Sequence, residues 1–309
     1  MRSLHAWPVF FILIAVSFSV PIQAHAAGAE IVILRSSDLK AYNDAIEGFK
    51  ATAPGGVTYS EYDLRSDPER GKQLARKIRA SDSALVVAVG LKAALVAKLE
   101  IVDIPVLYMM IFDPLKHQLT AANMTGVLLE IPADRQFKVM RAFLPTLHRI
   151  GTLYDPDKTA TKLQEAESRA AVHQFQLQGF PVGSDKEVPQ QLRVLLSESE
   201  ALWLLPDSTV LTNESIRFIL ESALIKQVPV IGFSSEFARL GALLSLSIDY
   251  EEVGRETGLL AKRILNGEPL PLRPVSVQRI RITVNQKTAQ YLGITIPKAF
   301  DSLIDVAVE

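Results

Sequence analysis

The sequence of 309 residues contains no cysteine. This absence excludes disulfide bonds, a thiol nucleophile and a lipid attached to an N-terminal cysteine. Charge of one sign is also lacking, because 33 basic residues balance 34 acidic residues and the formal net charge is −1. We therefore expect no nucleic-acid partner, since proteins that bind phosphate backbones need a strongly basic surface.

Motifs for catalysis and for metal binding are scarce. The histidines at 117, 148 and 173 are too far apart in sequence for a short metal-ligand spacing. A GxSxG elbow is absent, because Gly232-Phe233-Ser234-Ser235 lacks the final glycine, and no GxGxxG or Walker loop follows a strand. We expect no catalytic residue, no metal and no cofactor. A hydrolase with Ser234 as nucleophile is the enzymatic alternative.

Residues 1–26 have the organisation of a secretory signal peptide. Arg2 supplies the basic start, Val9–Val20 is apolar, and Ala24-His25-Ala26 is a small-residue cleavage site. The apolar segment is short for a membrane span, although an uncleaved anchor is the alternative. The sequence predicts export to the periplasm of a protein that is not a lipoprotein.

Short apolar strands alternate with helices through the rest of the chain. Strands are predicted at 31–34, 57–62, 84–89, 104–111, 150–154, 179–182, 201–205, 228–233, 242–248 and 277–284. The segment 159–178 is predicted to be one long helix, and the tail after Pro297 has no strong signal. Such alternation is typical of βαβ units with a parallel sheet, and its restart near residue 133 predicts two α/β lobes.

Polar or glycine turns recur where these strands end. Asp113 follows the strand at 104–111, and ligands of open α/β sheets bind beyond the carboxyl ends of strands. Helix N-termini at such turns favour anions, and nearby aspartates can accept an ammonium group. The alternative is ordinary helix capping, which selects the same residue types. The candidate ligand-binding residues are Ser36, Ser37, Gly90, Leu91, Asp113, Tyr154, Asp207, Ser234 and Asp249.

Several short motifs occur in an order that resembles one known family. They are Ile104-Pro105-Val106 leading to Asp113-Pro114, Asn123-Met124-Thr125-Gly126-Val127, Leu144-Pro145 before Ile150-Gly151-Thr152-Leu153-Tyr154, Pro229-Val230-Ile231, Gly241-Ala242-Leu243 before Asp249-Tyr250 and Gly254, Ile264-Leu265-Asn266-Gly267, and Asn285 with Leu292-Gly293-Ile294-Thr295-Ile296-Pro297. With these motifs the chain resembles the periplasmic substrate-binding proteins of ABC importers with the type I fold. The resemblance is to the branch related to binders of tryptophan and other aromatic amino acids.

The resemblance implies two Rossmann-like lobes with parallel sheets, joined by three hinge crossings. The crossings would fall near Thr125–Glu130, Ser245–Tyr250 and Pro271–Val277. One lobe would contain residues 27–125 and 249–272, and the other residues 126–248 and 273–309.

The resemblance also implies a function. It implies capture of a small molecule, an amino acid or a related compound, for a membrane permease. Ser36, Ser37, the turn after Val89, Asp113, Tyr154 and Asp207 would face this ligand. A protein of the same fold that senses a ligand for a membrane receptor or kinase is the alternative.

Two local features depart from the family pattern. Gly90 is followed by Leu91, where the family usually has threonine, and Arg35-Ser36-Ser37-Asp38 is more compact than the usual polar loop. Leu91 favours a more apolar ligand, or a lobe that no longer binds amino acids.

Overall fold

The computed structural model describes residues 28–298 and 304–308. The predicted signal peptide, residues 1–26, lies outside the described residues. In the described part of the chain, no helix combines the length and the apolar composition needed to cross a membrane.

Strands and helices alternate along the described residues. The strands are β1 (Glu30–Arg35), β2 (Thr58–Asp63), β3 (Leu85–Val89), β4 (Val106–Met109), β5 (Met124–Leu128), β6 (Arg149–Tyr154), β7 (Gln176–Pro181), β8 (Ala201–Trp203), β9 (Val230–Gly232), β10 (Leu244–Ser247), β11 (Val275–Ser276), β12 (Arg281–Asn285) and β13 (Val306–Val308). The helices are α1 (Lys40–Thr52), α2 (Pro68–Arg79), α3 (Leu91–Glu100), α4 (Ala133–Phe143), α5 (Pro156–Val172), α6 (Val188–Glu198), α7 (Asn213–Ile225), α8 (Ser235–Arg239), α9 (Tyr250–Leu265) and α10 (Gln286–Tyr291).

The strands form two sheets, each the centre of one lobe. The first sheet has the order β11-β5-β4-β3-β1-β2, and the second has the order β13-β12-β10-β9-β8-β6-β7. Neighbouring strands pair in parallel, except that β10 and β12 are antiparallel. The predicted α/β class with two lobes is therefore confirmed.

Strand β3 shows why the first sheet forms where the sequence predicts it. All five of its residues are buried. Val86 and Ala88 pack into the apolar cluster on one face of the sheet, and Leu85, Val87 and Val89 into the cluster on the other face. A strand covered by helices on both faces has no polar side, so it appears in sequence as a continuous apolar run.

The chain passes between the lobes three times, at residues 129–132, 248–249 and 277–280. Strand β5 stays in the first sheet through Leu128, and β11 pairs with β5 in the same sheet. The first and third crossings thus lie a few residues beyond the expected lobe boundaries at 125 and 272. The strand predicted at 277–284 starts too early, because residues 277–280 form the third crossing and β12 begins at Arg281.

One further strand prediction extends too far, and one strand was not predicted. The strand predicted at 104–111 ends at Met109, because Met110 adopts a positive φ of 62° that turns the backbone out of the sheet. Strand β13 was not expected, because its three residues are too short for a pattern in sequence.

The helix predicted at 159–178 ends at Val172 instead. Gln174 adopts a positive φ of 61°, and the amide of Phe175 then donates to the carbonyl of Ala170 at 2.9 Å. This is a Schellman ending with glutamine in the position that glycine usually occupies. The usual glycine signal is missing, so the sequence conceals the end of α5 and the start of β7.

Helix α9 returns to the first lobe and packs directly on α1. A Cβ atom at Gly254 would overlap the carbonyl of Ala45, and one at Gly48 would overlap the carbonyl of Glu251. The Thr52 hydroxyl donates to the carbonyl of Arg255 at 2.7 Å across the same contact. The two helix backbones therefore touch, which fixes the position of the amino end of α9.

We expect Gly254→Ala to lower the free energy of unfolding by about 1–3 kcal/mol or more, because the added methyl group has no room between the helices. Chemical denaturation monitored by circular dichroism measures this loss. Gly55→Ala is the matched control, since nothing lies within 4 Å of a Cβ atom there. A Gly254→Ala protein as stable as the Gly55→Ala protein would contradict the close contact.

Candidate functional site

A cavity of about 340 Å³ lies at the carboxyl ends of the strands of the first sheet. It is lined by Ala41, Tyr42, Leu91, Met110, Ile111, Phe112, His117, Leu129 and Tyr250. These residues come from the amino ends of α1, α3 and α9, from the segment after β4 and from the first crossing. Leu129 belongs to the first crossing and Tyr250 adjoins the second, so the cavity lies beside two of the crossings.

Gly90 directly precedes α3, next to the cavity residue Leu91. Its φ is +83°, and a Cβ atom there would lie 2.5 Å from the Tyr42 hydroxyl and 2.8 Å from Ser36 Oγ. Any other residue would be strained at this φ and would also clash. Gly90 thus brings the backbone, the Ser36 hydroxyl and the Tyr42 hydroxyl together. Burial raises the pKa of Tyr42 above its ordinary value.

Ser36 caps the amino end of α3, although it lies far from this helix in sequence. Its buried Oγ accepts a hydrogen bond from the amide of Ala93 at 3.0 Å. Because Gly90 has no side chain to cap the helix, Ser36 takes that task. Ser37 beside it is half-buried. Leu91, the first residue of α3, lines the cavity.

Asp113 has a local partner. Its Oδ1 accepts from the amide of Lys116 at 3.1 Å, and its φ of 47° lies in the left-handed region that aspartate tolerates better than most residues. Asp113 is not among the residues that line the cavity. Its geometry is that of a turn residue, and its role in ligand binding stays a prediction.

Asp207 is buried in the second lobe and is fully hydrogen-bonded. Its Oδ2 accepts from the amide of Asp155 at 2.8 Å and from the Thr159 hydroxyl at 2.5 Å. Its Oδ1 accepts from the amides of Thr209 at 2.9 Å and Val210 at 3.3 Å. The carboxylate thus joins the turns that follow β6 and β8.

Asp155, in the turn after β6, is also part of this hydrogen-bond network between the turns that follow β6 and β8. It is the N-cap of α5, and its carboxylate accepts from the Thr209 hydroxyl at 2.5 Å and from the amide of Asp157 at 2.9 Å. The Thr209 hydrogen bond, followed by that of the Asp157 amide, holds the pKa of Asp155 below its ordinary value. Lys158 donates to the hydroxyls of Ser208 and Thr209 and lies 3.7 Å from Asp155.

The other two predicted residues of the second lobe have structural contacts. The Tyr154 ring lies over Gly179, where a Cβ atom would approach it within 2.9 Å. Ser234 is the N-cap of α8 and accepts from the amide of Glu236 at 3.3 Å.

Asp249 lies on the second crossing and connects the lobes. It caps α9 by accepting from the amide of Glu251 at 3.0 Å, and it forms an ion pair with Arg281 at the start of β12. A second arginine, Arg135 of α4, donates to the carbonyls of Val277 and Gln278 on the third crossing.

The structure does not bring the predicted residues together in one place. Leu91 lines the cavity, and Ser36 and Gly90 lie beside the amino end of α3, with Ser37 next to Ser36. Asp113 lies in the turn after β4, Tyr154, Asp207 and Ser234 lie at strand ends of the second sheet, and Asp249 lies on a crossing.

Most residues of the cavity lining are not among those predicted from the sequence. The missed residues include Tyr42, Phe112, His117, Leu129 and Tyr250. Tyr250 directly follows Asp249, and Phe112 directly precedes Asp113. The sequence signal that could have identified these lining residues is therefore an apolar or aromatic residue next to a polar turn.

Comparison with known proteins identifies the family. A family model for ABC transporter substrate binding proteins matches residues 31–305. The chain belongs to this family. The prediction that it is a substrate-binding protein and not an enzyme is therefore confirmed.

Three similar proteins illustrate this family and fold. A tyrosine-binding protein of Clostridioides difficile (strain R20291) is 22% identical over 239 residues, which cover 74% of this chain and 69% of the relative. A ligand-free, open substrate-binding protein with adhesive properties from Clostridium difficile has a TM-score of 0.74 at 22% identity, covering 91% of this chain and 100% of its own. An ABC domain from Streptococcus pneumonia in complex with L-Trp has a TM-score of 0.58 at 23% identity, with coverage of 91% and 100%.

We expect Asp113→Ala to lower the free energy of unfolding by about 1 kcal/mol, because the Lys116 amide loses its acceptor and alanine disfavours a positive φ. Asp113→Asn keeps an acceptor oxygen and tolerates this φ, so it should lose much less. Thermal denaturation of the two variants beside the parent protein measures the difference. Equal losses would show that the charge of Asp113 matters more than its turn geometry.

Proposed function

We propose that the chain is an exported solute-binding protein of an ABC importer. It captures a small molecule between its two lobes and presents that molecule to a membrane permease. The observation that carries this proposal is the cavity at the carboxyl ends of the first sheet, which lies beside two of the crossings that join the lobes. This is the position at which open α/β sheets bind ligands. Family membership supports the capture of a substrate, and the predicted signal peptide supports a periplasmic location.

The proposed mechanism is a shift between open and closed forms. Among the described residues, the hydrogen bonds and ion pairs that link the two lobes lie at the crossings, as with Asp249 and Arg281. The strand-end turns of one lobe share no such bond with those of the other in the described part of the chain. A ligand that contacts both lobes only in the closed form favours that form by the difference in its affinity.

The ligand class is a small organic molecule of the size of an amino acid. The cavity volume is near the lower end of the usual range for ligand sites, which is about 300–1,000 Å³. The tyrosine-binding relative and the L-Trp complex support a compound with an aromatic ring as the starting point for a search.

A thermal-shift screen of amino acids, short peptides, nucleosides and sugars tests the proposal. A ligand at about one hundred times its dissociation constant stabilises the folded form by about 2.7 kcal/mol. For a protein of this size, we expect a rise in melting temperature of about 5 °C or more. No shift with any compound of the screen would contradict solute capture.

Ala41→Phe provides a test that the ligand occupies the cavity. Ala41 lines the cavity near the start of α1, so a phenyl group there should fill the space and abolish the shift. Ala51→Phe is the matched control, because Ala51 is exposed in the same helix. An unchanged shift in the Ala41→Phe protein would place the ligand elsewhere.

A further inference from the structure

Helix α2 and the turn before it carry a local excess of basic residues. Residues 65–79 contain six basic and two acidic side chains, although the whole chain has a formal net charge of −1. The longer helices α5 and α9 each balance three basic residues with three acidic ones. A surplus of positive charge therefore lies on one helix of the first lobe.

The basic side chains of this segment face solvent. Gly71, Ala75 and Ile78 form the buried face of α2, which packs on the first sheet. Five of the six basic residues are exposed, namely Arg65, Arg70, Arg76, Lys77 and Arg79. The helix thus presents its cations outward, where they can meet a negatively charged surface.

Two of the six cations have acidic neighbours at this surface. Lys72 lies 2.7 Å from Glu69, and Arg76 lies 3.5 Å from Glu100 of α3. Ion pairs at the surface are weak in water, because solvent and salt screen them. Both cations therefore stay available to a surface that carries many negative charges.

Helix α3 packs beside α2 and is apolar even on its solvent side. Seven of its ten residues are leucine, alanine or valine. The two helices are close, since a Cβ atom at Gly71 would lie 3.0 Å from Val96. On the outside, Leu99 is 72% exposed, and Val102 just beyond the helix is 58% exposed. Helix α3 thus lacks the polar outer face that is typical of a surface helix.

The cations and these apolar side chains lie on the same side of the first lobe. Both helices pack on one face of the first sheet, and the ion pair between Arg76 and Glu100 joins them directly beside Leu99. A surface that combines basic and apolar side chains is suited to the interface of an anionic bilayer. The cations attract acidic lipid head groups, and the apolar side chains enter the boundary with the acyl chains.

We propose that the outer face of α2 and α3 docks on an anionic phospholipid bilayer. The negative charge of the lipid complements residues 65–79, and Leu99 and Val102 supply the apolar contact. Docking leaves the cavity free, because the cavity residue Leu91 lies roughly 12 Å from Leu99 along the axis of α3. It holds the protein beside the membrane in which the proposed permease lies.

Sedimentation with lipid vesicles tests this docking. The protein comprises residues 27–309, because the apolar segment of the predicted signal peptide could itself bind lipid. We expect binding to vesicles of phosphatidylcholine and phosphatidylglycerol in equal parts, and at least about tenfold weaker binding to vesicles of phosphatidylcholine alone. A rise in salt from about 0.1 M to about 0.5 M should also weaken the binding, since salt shortens the range of charge interactions.

Charge reversal shows which face makes the contact. The double variant Arg76→Glu, Arg79→Glu should bind the anionic vesicles at least about tenfold more weakly, because each basic residue near such a bilayer strengthens binding roughly fivefold. The double variant Lys186→Glu, Lys226→Glu is the matched control. Both lysines are exposed on the second lobe, and the change in net charge is the same. Circular dichroism checks that both proteins are folded.

Leu99→Ser tests the apolar contact separately. We expect it to weaken binding to the anionic vesicles by about threefold or more, because serine gains little from leaving water for the interface. Ile225→Ser is the matched control, since Ile225 is 75% exposed at the end of α7 in the second lobe.

Equal binding to the two kinds of vesicle would overturn the inference. Equal losses in the α2 double variant and its second-lobe control would overturn it too, because the bilayer would then contact no particular face. If the protein does not bind the anionic vesicles at all, the bilayer is excluded and a protein partner becomes the occupant of this face. Leu99→Ser binding as Ile225→Ser does would contradict the apolar contact. None of these results depends on a solute, so the thermal-shift screen tests solute capture independently.

Discussion

The direct contact between α1 and α9 is the constraint on which the rest of the structure depends. Gly48 and Gly254 let the two helix backbones touch, and the Thr52 hydroxyl joins them. Because α9 begins at the second crossing, this contact fixes both Asp249 on the hinge and Tyr250 at the cavity. This one pair of helices thereby holds the first sheet and its connection to the second lobe in place.

Buried and half-buried carboxylates hold the strand-end turns in place and thereby determine how polar the cleft is. Asp155 and Asp207 bind each other's turns in the second lobe, and Asp113 and Asp249 cap turns of the first lobe and the crossing. Since these acids are used in holding the backbone, the surface that remains for a ligand is mostly apolar. Two lobes with fixed strand-end turns, joined by three crossings, suit a protein that closes on a solute.

The sequence predicted the α/β class and most elements, because strands covered on both faces and helices with proline or aspartate starts leave strong patterns. It could not show that Gln174 would take a positive φ and end α5, or that Met110 would do the same after β4. For the site, the residue types identified the strand-end turns, but they did not show whether a turn binds a ligand or only holds the backbone. Asp207 has the same signal as a ligand-binding aspartate, and only the four donors around it reveal a structural role.

Closure of the two lobes on a solute can be measured as a change in the distance between two spin labels, one on each lobe. The chain has no cysteine, so labels can be placed through Lys116→Cys on the first lobe and Glu236→Cys on the second, both at exposed positions. With the compound that gives the largest rise in melting temperature, we expect a shorter and narrower distribution of distances between the labels. An identical distribution with and without that compound would contradict closure.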